Sequence, residues 1–377
     1  MNMNYKRALQ QDMDSWLDER EVLIIYGARQ VGKTTFIKDY LQDKADSIVY
    51  NCELRNISEA LESYDITRIS SLIAGKKIVA FDEAQGVHNI GKSLKIIYDE
   101  FPDVKVIATG SSSFDLSAKV TESLTGRNIK FMMFPLSLEE LRMNQSVFYS
   151  EHLENDFLLY GSYPAILRSK GQRKVDRLLN LSTDYLFKDA LSFLGLKNSN
   201  VLRNLLKALA LQIGSQVSTN ELSNLLQINR QKILEFLDVL EKNFIIFKLP
   251  SYSTNLRNEI KKSIKYYFFD NGIRNAILNN FTPLNARTDI GMLWENYCVS
   301  ERFKWNITHR NNVDMYFWRS YDGAEIDLLE IKDGKIDAFE FKWRLKRKTR
   351  IPKSFDEKYK PKSFKIISKD NYYELIQ

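Results

Sequence analysis

The fold of this chain is decided by the stretch Val22-Leu23-Ile24-Ile25-Tyr26-Gly27-Ala28-Arg29-Gln30-Val31-Gly32-Lys33-Thr34-Thr35. From Gly27 onward it fits the G-x-x-x-x-G-K-[ST] pattern in full. The apolar run 22–26 is typical of a buried strand in a parallel sheet, and residues 33–41 have the pattern of a helix. A glycine-containing loop between such a strand and a helix is the setting of a phosphate-binding loop. The stretch therefore predicts an α/β fold with a P-loop core.

The residues of this loop have expected roles towards ATP and Mg²⁺. Gly27 and Gly32 let the backbone N–H groups approach phosphate oxygens, and the following helix adds its positive dipole end. Lys33 is expected to reach the β- and γ-phosphates. The Thr34 hydroxyl is the expected Mg²⁺ ligand, because Mg²⁺ prefers hard oxygen donors. The predicted nucleotide-binding residues are Gly27, Ala28, Arg29, Gln30, Val31, Gly32, Lys33, Thr34, Thr35 and, from a later strand, Ser111.

A second apolar strand, residues 77–82, ends in two acids. Asp82 is expected to hold Mg²⁺ through its water shell, and Glu83 to polarise the attacking water. A strand can also end in two acids by chance, but the phosphate loop upstream favours the functional interpretation of Asp82 and Glu83. The same pairing argues against a small-molecule kinase, since Asp-Glu suits water activation better than phosphorylation of a hydroxyl.

Two further residues are candidates for contact with the nucleotide. Ser111 follows the strand 104–110 and is the candidate γ-phosphate contact, with a solvated serine-rich turn as the alternative. Arg127 precedes a strand that runs from 129 to 134. It is either a surface charge or an arginine finger that acts in cis or on a neighbouring subunit.

Length and composition limit the class of protein. The chain has 377 residues, 44% hydrophobic and 27% charged, which predicts a soluble globular protein of two or three domains. Its net charge of +7 suggests nucleic acid or an acidic surface as partner, and fits a basic but otherwise ordinary enzyme equally well. Cys52 and Cys298 have no metal-ligand spacing. No signal peptide or bilayer-spanning run is visible, so we expect a cytoplasmic protein with no membrane partner.

Four segments together resemble a known family: GARQVGKTT, IVAFDEAQ, TGSSS and LTGRN. They resemble the AAA-type ATPase core of a large bacterial and archaeal family, most of whose members are known only as ATP-binding proteins with a C-terminal domain of unknown function. The resemblance implies an AAA+ fold with Asp82, Glu83, Ser111 and Arg127 in the roles above. AAA-type domains often form rings, which leaves a homo-oligomer open, since no residue here decides it.

The middle of the chain is predicted to be helical and then to change character. Residues 138–196 have helical patterns broken at 161–164, and YGSYPAIL resembles the family's helical lid. Residues 200–270 are predicted to form a helix, a turn, a second helix and a two-stranded ribbon, which is the winged-helix pattern. The family that the chain resembles has a winged helix in this region. The predicted recognition helix begins at 229–232, and the wing contains Arg257, Lys261, Lys262 and Lys265 as expected double-stranded DNA contacts. Winged helices also serve as protein-interaction modules, so that alternative stays open.

The C-terminal part contains a pattern typical of PD-(D/E)xK nucleases. Glu295 lies in a predicted helix, Asp327 in a strand, and Glu340 and Lys342 in the next strand. Residues i and i+2 of a strand share a face, so Glu340 and Lys342 should point the same way. Glu295, Asp327 and Glu340 are expected to share one Mg²⁺, with Lys342 positioning the nucleophile. The family's C-terminal region resembles a restriction-endonuclease fold. A solvated sheet with alternating charges is the alternative.

These observations predict four domains. They are an ATPase core at 1–145, a helical lid at 146–197, a winged helix at 198–275 and a restriction-endonuclease-like domain at 276–377. The predicted function is Mg²⁺-dependent ATP hydrolysis coupled to action on or with DNA. A basic run over 342–353 could follow a phosphate backbone or be a solvated face. The alternative function is an ATP-dependent switch or scaffold that binds a protein partner, with a catalytically silent nuclease fold.

Overall fold

The computed structural model of the chain describes residues 5–111, 123–144, 153–186, 190–191, 194, 200–253, 263–345 and 349–376. It divides into two compact units, residues 1–148 with 242–244 and residues 149–241 with 245–377. The predicted ATPase core at 1–145 corresponds to the first unit. The predicted boundaries after 197 and 275 fall inside the second unit. The three segments expected there as separate domains therefore form one compact body.

The first unit is a parallel sheet with helices. Its strands are β1 Val22–Tyr26, β2 Ser47–Asn51, β3 Ile78–Asp82, β4 Lys105–Gly110 and β5 Asn128–Met132. Its helices are α1 Leu9–Asp14, α2 Lys33–Leu41, α3 Arg55–Glu62, α4 Ile66–Ile73, α5 Ile90–Glu100 and α6 Leu138–Met143. The strand order is β2-β3-β4-β1-β5, and every pairing is parallel. All carboxyl ends therefore lie at one edge, where ligands of open α/β sheets bind.

Local sequence explains where these elements begin and end. The strands β1 and β4 are buried almost throughout, as continuous apolar runs of a parallel sheet should be. Residues 55–73 form two helices, α3 and α4, because the Asp65 side chain accepts hydrogen bonds from two backbone N–H groups and caps α4. Helix α1 is short, and its apolar face buries Leu9 and Met13.

The second unit contains two sheets. Its helices are α7 Leu153–Tyr160, α8 Pro164–Leu167, α9 Gln172–Asn180, α10 Asn200–Leu211, α11 Thr219–Leu226, α12 Arg230–Lys242, α13 Asn271–Ile277, α14 Ile290–Thr308 and α15 Lys353–Tyr359. Its strands are β6 Gln216–Val217, β7 Ile246–Pro250, β8 Ile264–Phe268, β9 Asp314–Arg319, β10 Glu325–Lys332, β11 Lys335–Phe341 and β12 Ser363–Ile367. The sheet orders are β6-β8-β7 and β12-β11-β10-β9.

The two sheets of the second unit are directly connected. The first is antiparallel throughout, whereas in the second β12 runs parallel to β11. The Tyr252 N–H donates to the Phe317 carbonyl at 2.7 Å, which joins the end of β7 to β9. This bond joins the segments on either side of residue 275. No helix in the described part of the chain is long and apolar enough to cross a bilayer.

Candidate functional site

The phosphate loop lies between β1 and α2 and needs both of its glycines. Gly32 precedes α2 with φ of 98° and ψ of 25°, a left-handed conformation that a side chain disfavours. A Cβ atom on Gly27 would lie 2.0 Å from the Met133 carbonyl oxygen. That oxygen cannot move freely, because the Met133 N–H donates to the Tyr26 carbonyl at 2.8 Å. The loop is therefore folded tightly against the end of β5.

Lys33 is the first residue of α2 and is buried. Its Nζ atom donates to the carbonyl oxygens of Gly27 at 2.9 Å and Ala28 at 2.8 Å. The ammonium group thus lies across the loop that carries it, where phosphate oxygens could compete for its protons. Thr34 follows it in the first turn of α2. The backbone N–H groups of that turn have no partners within the helix, which is the basis of anion binding at helix N-termini.

Arg7 stabilises the phosphate loop and was not singled out from the sequence. Its guanidinium donates to the carbonyl oxygens of Val31 at 2.8 Å and Phe134 at 2.6 Å. It also forms an ion pair with Glu140 at 2.8 Å, and both side chains are almost fully buried. Glu140 in turn completes a capping box with Ser137 at the start of α6. Arg7 therefore connects the phosphate loop to the strand and helix beside it.

The two acids after β3 lie at the same sheet edge as the phosphate loop. Asp82 is buried, and its carboxylate accepts a hydrogen bond from the Thr109 hydroxyl of β4. Glu83 has φ of 53°, a left-handed conformation that is uncommon outside glycine. Its N–H donates to the same Thr109 hydroxyl oxygen at 3.3 Å. Thr109 thus fixes the turn in which both carboxylates are presented.

Gln85 joins Glu83 to Ser111 and is the second residue that the sequence analysis missed. Its side-chain amide donates to the Glu83 carboxylate and, at 3.0 Å, to the Ser111 hydroxyl. Its amide oxygen accepts from the Ser111 N–H at 3.3 Å. The sequence signal was present, since Gln85 stands two residues beyond Glu83. Glu83, Gln85 and Ser111 form one polar group beside the phosphate loop.

Arg127 lies at the opposite edge of the sheet. Its carbonyl accepts from the Val22 N–H at 2.9 Å, at the start of β1, whereas the phosphate loop follows the end of that strand. A strand of this length separates them by roughly 13 Å. The Arg127 side chain lies over Tyr98 and 3.7 Å from Asp99. An arginine finger acting in cis is therefore wrong, and only action on a neighbouring subunit stays a prediction.

The residues at the sheet edge fit a bound nucleotide with Mg²⁺. The loop offers backbone N–H groups, an ammonium group and a left-handed glycine, and Thr34 and Asp82 supply the hard oxygen atoms that Mg²⁺ prefers. Glu83 and Ser111 lie at the ends of the neighbouring strands, joined by Gln85. Such an edge defines a P-loop nucleoside triphosphatase class.

A second charged group lies in the second unit, around the end of β11. Lys342 Nζ is 2.6 Å from Glu340 Oε1 and 3.8 Å from Asp327 Oδ2. The structure therefore brings Asp327, Glu340 and Lys342 together, as the alternation along a strand predicts. Asp327 is buried, and it accepts from the Phe341 N–H at 2.7 Å. Burial raises the pKa of Glu340 to about 7, with the nearby Asp327 charge adding to the effect.

Glu295 extends this group from α14 but has partners that the sequence did not reveal. Its Oε1 atom accepts from Lys265 Nζ at 3.0 Å and from the Tyr267 hydroxyl at 2.7 Å. Lys265 also pairs with Glu325. Lys265 was expected as a DNA contact on the wing, and this is wrong, because the residue is 1% exposed. Tyr267 was not identified at all, since nothing in its local sequence distinguishes it from other strand residues.

The charges of this acidic cluster (Glu295, Glu325, Asp327 and Glu340, with Lys265 and Lys342) are interdependent. Burial, followed by the Asp327 charge, raises the pKa of Glu295 to about 7. Burial alone would lower the pKa of Lys265, but the carboxylates of Glu295 and Glu325 raise it, so its ammonium stays charged. Within the described residues no three or more carboxylate, imidazole or thiol groups are placed to share a metal ion. The expected three-carboxylate Mg²⁺ site of Glu295, Asp327 and Glu340 is therefore not formed in this arrangement, in which Lys265 and Lys342 pair with these carboxylates.

The predicted DNA-contacting positions are only partly described. At the start of α12, Arg230 donates to the Thr219 hydroxyl at 3.0 Å and Lys232 pairs with Glu235 at 2.8 Å. Arg230 is exposed and Lys232 is half-buried, so both remain accessible from solvent. The other wing positions and the centre of the basic run lie outside the described residues, namely Arg257, Lys261, Lys262, Lys346, Arg347 and Lys348.

Comparison with protein families identifies the first unit. Residues 19–142 match the model of an AAA domain family, so the chain carries an AAA-type ATPase domain. Residues 151–284 and 290–375 match two domains of unknown function, DUF8612 and DUF4143. The boundary between these two matches lies near the predicted boundary at 275. It separates two sequence families, although the structure packs both segments into one compact unit.

The chain is also similar to individual proteins and to a solved structure. The chain is 24% identical to an uncharacterized protein of Haemophilus influenzae over 284 residues, which cover 70% of this chain and 71% of that protein. It is 28% identical to an uncharacterized protein of Methanocaldococcus jannaschii over 353 residues, 87% of this chain and 76% of that protein. Among solved structures, a Walker-type ATPase of Pyrococcus abyssi has a TM-score of 0.50 at 17% identity, covering 73% of this chain and 96% of that one. This likeness shows the fold.

Proposed function

We propose that this protein is a Mg²⁺-dependent ATPase whose second unit acts on or with DNA. The observation that carries the ATPase part is the polar group at the sheet edge. Asp82 and Glu83 share Thr109, and Glu83 is joined through Gln85 to Ser111. These side chains converge beside a phosphate loop that only glycine permits.

In this proposal the loop binds the phosphates and Lys33 neutralises them. Lys33 exchanges its bonds with the Gly27 and Ala28 carbonyls for bonds to the β- and γ-phosphates, which requires movement of one side chain only. Bound Mg²⁺ supplies charge neutralisation between the phosphates, and Thr34 and Asp82 would hold it. The loop backbone of residues 27–35 fixes the position of the phosphate chain.

Glu83 is the proposed general base. Its carboxylate takes a proton from the attacking water, and Gln85 restrains that carboxylate through a hydrogen bond. Ser111, held by the same amide, contacts the γ-phosphate. Arg127 takes part only if a second copy presents it to this site, so its participation implies a homo-oligomer.

The order of elements in the second unit supports a nucleic-acid role. Helix α10, strand β6, helices α11 and α12, and strands β7 and β8 follow the order of a winged helix, with α12 as recognition helix. The exposed Arg230 and Gln231 and the half-buried Lys232 at its N-terminus suit contacts with phosphates and base edges. The net charge of +7 favours association with duplex DNA.

The remaining elements support a restriction-endonuclease-like core. Helix α14 is followed by β9, β10 and β11, then by α15 and β12, with β12 parallel to β11. Asp327 lies near the start of β10, Glu340 near the end of β11 and Lys342 just beyond it, and Lys342 contacts both carboxylates. In an active nuclease, Asp327, Glu340 and Glu295 would have to exchange their lysine partners for Mg²⁺. Lys342 would position the water.

One observation favours the alternative of an ATP-driven switch that binds a protein partner. Lys265 and Lys342 form ion pairs with carboxylates of the acidic cluster, and the Tyr267 hydroxyl donates a hydrogen bond to Glu295. A cluster whose charges are paired by lysines suits a scaffold that performs no cleavage as well as it suits an enzyme. The two functions make opposite predictions for cleavage.

Cleavage of supercoiled plasmid and single-stranded DNA separates them. We would compare wild type, Lys33→Ala and Glu340→Ala with Mg²⁺ or Mn²⁺, each with and without ATP. Cleavage that is lost in Glu340→Ala and altered in Lys33→Ala supports an ATP-controlled nuclease. Absence of cleavage in wild type, with ATP hydrolysis intact, refutes nuclease activity and favours the switch.

A further inference from the structure

A cavity of about 660 Å³ lies within the second unit and is not used by the functions proposed above. Helix α7 contributes Asn155 and Leu159, and the loop 283–290 forms another wall. Trp343 and Arg344, which lie just beyond β11, form the third wall of the cavity. The volume falls within the range of small-molecule sites, roughly 300–1,000 Å³.

The loop wall of this cavity is held rigidly. The Arg287 guanidinium donates to Asp289 at 2.7 Å and to the Asn280 carbonyl at 2.9 Å. It also donates to the Asn275 side chain at 3.1 Å, and Asn275 in turn donates to two main-chain carbonyls of α7. These bonds connect the loop with α7 through α13. A wall fixed before binding lowers the entropic cost of taking up a ligand.

The cavity also adjoins the acidic cluster. Trp343 directly follows Lys342, and its ring packs edge-on against Trp294 with centroids 5.4 Å apart. Trp294 is fully buried in α14 and precedes Glu295. Its position next to Lys342 in the sequence and its ring contact with Trp294 therefore both place Trp343 beside the residues predicted to bind metal.

The polar groups of the cavity suit a nucleotide. The amides of Asn155 and Asn285 and the guanidinium of Arg344 have no hydrogen-bond or ion-pair partner among the residues that the structure describes. Amides pair with base edges, and a guanidinium binds phosphate. The Trp343 indole offers a surface for stacking of a base, as in proteins that bind single strands. Leu159 and Ile290 add apolar contact.

We infer that this cavity binds one nucleotide, with its base on Trp343 and its phosphate on Arg344. The bound nucleotide is either one residue of a single-stranded nucleic acid that passes Lys342, or a free mononucleotide. The inference rests on the proposed action of the second unit on nucleic acid, but it requires neither ATP hydrolysis nor metal binding. It adds a site outside the phosphate loop and outside the proposed recognition helix.

The test measures binding of a fluorescently labelled oligothymidylate to the full chain by anisotropy. All proteins carry Lys33→Ala, so that the phosphate loop contributes no high-affinity site for competing nucleotides. Trp343→Ala and Arg344→Glu are compared with Lys335→Glu, which reverses one exposed positive charge as Arg344→Glu does but lies at the far end of β11. Each cavity variant should bind at least about five-fold more weakly, since stacking on an aromatic ring is worth that much per base. Lys335→Glu should bind like the parent.

The outcomes distinguish this inference from the broader DNA role. Arg344 is exposed, so Arg344→Glu tests the cavity even if Trp343→Ala is poorly folded. Competition by thymidine monophosphate would identify a free nucleotide as a sufficient ligand, and its failure to compete would identify the single strand. If the parent binds the oligothymidylate and Arg344→Glu binds it equally well, the cavity inference is refuted alone. If the parent binds neither single strand, mononucleotide nor duplex DNA, both the inference and the nucleic-acid role are refuted.

Discussion

Replacement of Arg7 by alanine should destabilise the first unit far more than its position near the chain start suggests. The Arg7–Glu140 pair has side chains only 4% and 6% exposed. Removing one partner of a buried ion pair leaves an uncompensated charge and costs about 3–5 kcal/mol. The carbonyls of Val31 and Phe134 lose donors at the same time. Because a domain is stable by about 5–15 kcal/mol, this loss is a large part of the total.

The assay is unfolding by urea and by heat, followed by circular dichroism. For a domain of this size the loss corresponds to a fall in Tm of roughly 10–20 °C. Arg55→Ala is the matched control, because its ion pair with Glu59 is exposed to solvent, and it should behave like wild type. In a Glu140→Gln background Arg7→Ala should cost less, since no buried carboxylate is then left unpaired.

The same variant should bind ATP more weakly, because Arg7 holds the Val31 carbonyl within the phosphate loop. A fluorescent ATP analogue titrated at a temperature where the variant is still folded would show this. The reasoning is refuted if Arg7→Ala unfolds at the same urea concentration as Arg55→Ala. Unchanged nucleotide affinity would refute only the link to the loop.

Two further predictions concern other parts of the chain. Gly27→Ala should abolish nucleotide binding, because its Cβ would lie 2.0 Å from the Met133 carbonyl oxygen. Gly291→Ala is the control and should leave binding intact, because there is open space around its Cβ. Isothermal titration with ATP compares the two variants. Arg287 and Arg274 lower the pKa of Asp289 to about 2, so the stability they confer is full above about pH 4 and is lost as the pH falls through about 2. In acid titrations of unfolding, the advantage of wild type over Asp289→Asn should shrink by at most about 2 kcal/mol from pH 4 to 2; an advantage that does not change would contradict the assignment.

The nucleotide site could be predicted from sequence because its signals are local. The phosphate loop occupies consecutive residues, and its setting between strand and helix follows from the apolar run before it. Asp82 and Glu83 end a strand whose burial is equally visible in the sequence. Since parallel strands end at one edge, their meeting with the loop follows without knowledge of strand order.

Contacts between distant residues explain what the sequence did not reveal. Arg7 and Glu140 are 133 positions apart, so no spacing rule connects them. Arg127 precedes β5, but only the pairing of β5 with β1 shows that this places it at the far edge from the phosphate loop. Lys265 belongs to a basic segment and looked exposed, yet the packing of β8 against α14 buries it beside Glu295.

How the segments on either side of a predicted boundary pack together could not be inferred from the sequence, for a related reason. Composition changes and turn residues indicate where segments begin, but they do not show whether neighbouring segments share a core. Asp270, at the end of one predicted domain, accepts from the Ser162 N–H at 2.7 Å in the predicted lid. A Cβ on Gly161 would meet the same carboxylate at 1.9 Å. The glycine that was interpreted as a break in a helix therefore also makes room for a distant acid.

The measurement that tests the account most directly is steady-state hydrolysis of ATP with Mg²⁺, with and without duplex DNA. Wild type should hydrolyse ATP faster with DNA present. Lys33→Ala should lose both binding and hydrolysis. Glu83→Gln should still bind ATP while its turnover falls by about 10²–10⁴, as expected for loss of a general base. Absence of hydrolysis in wild type, or hydrolysis that Glu83→Gln leaves unchanged, would contradict the proposed site.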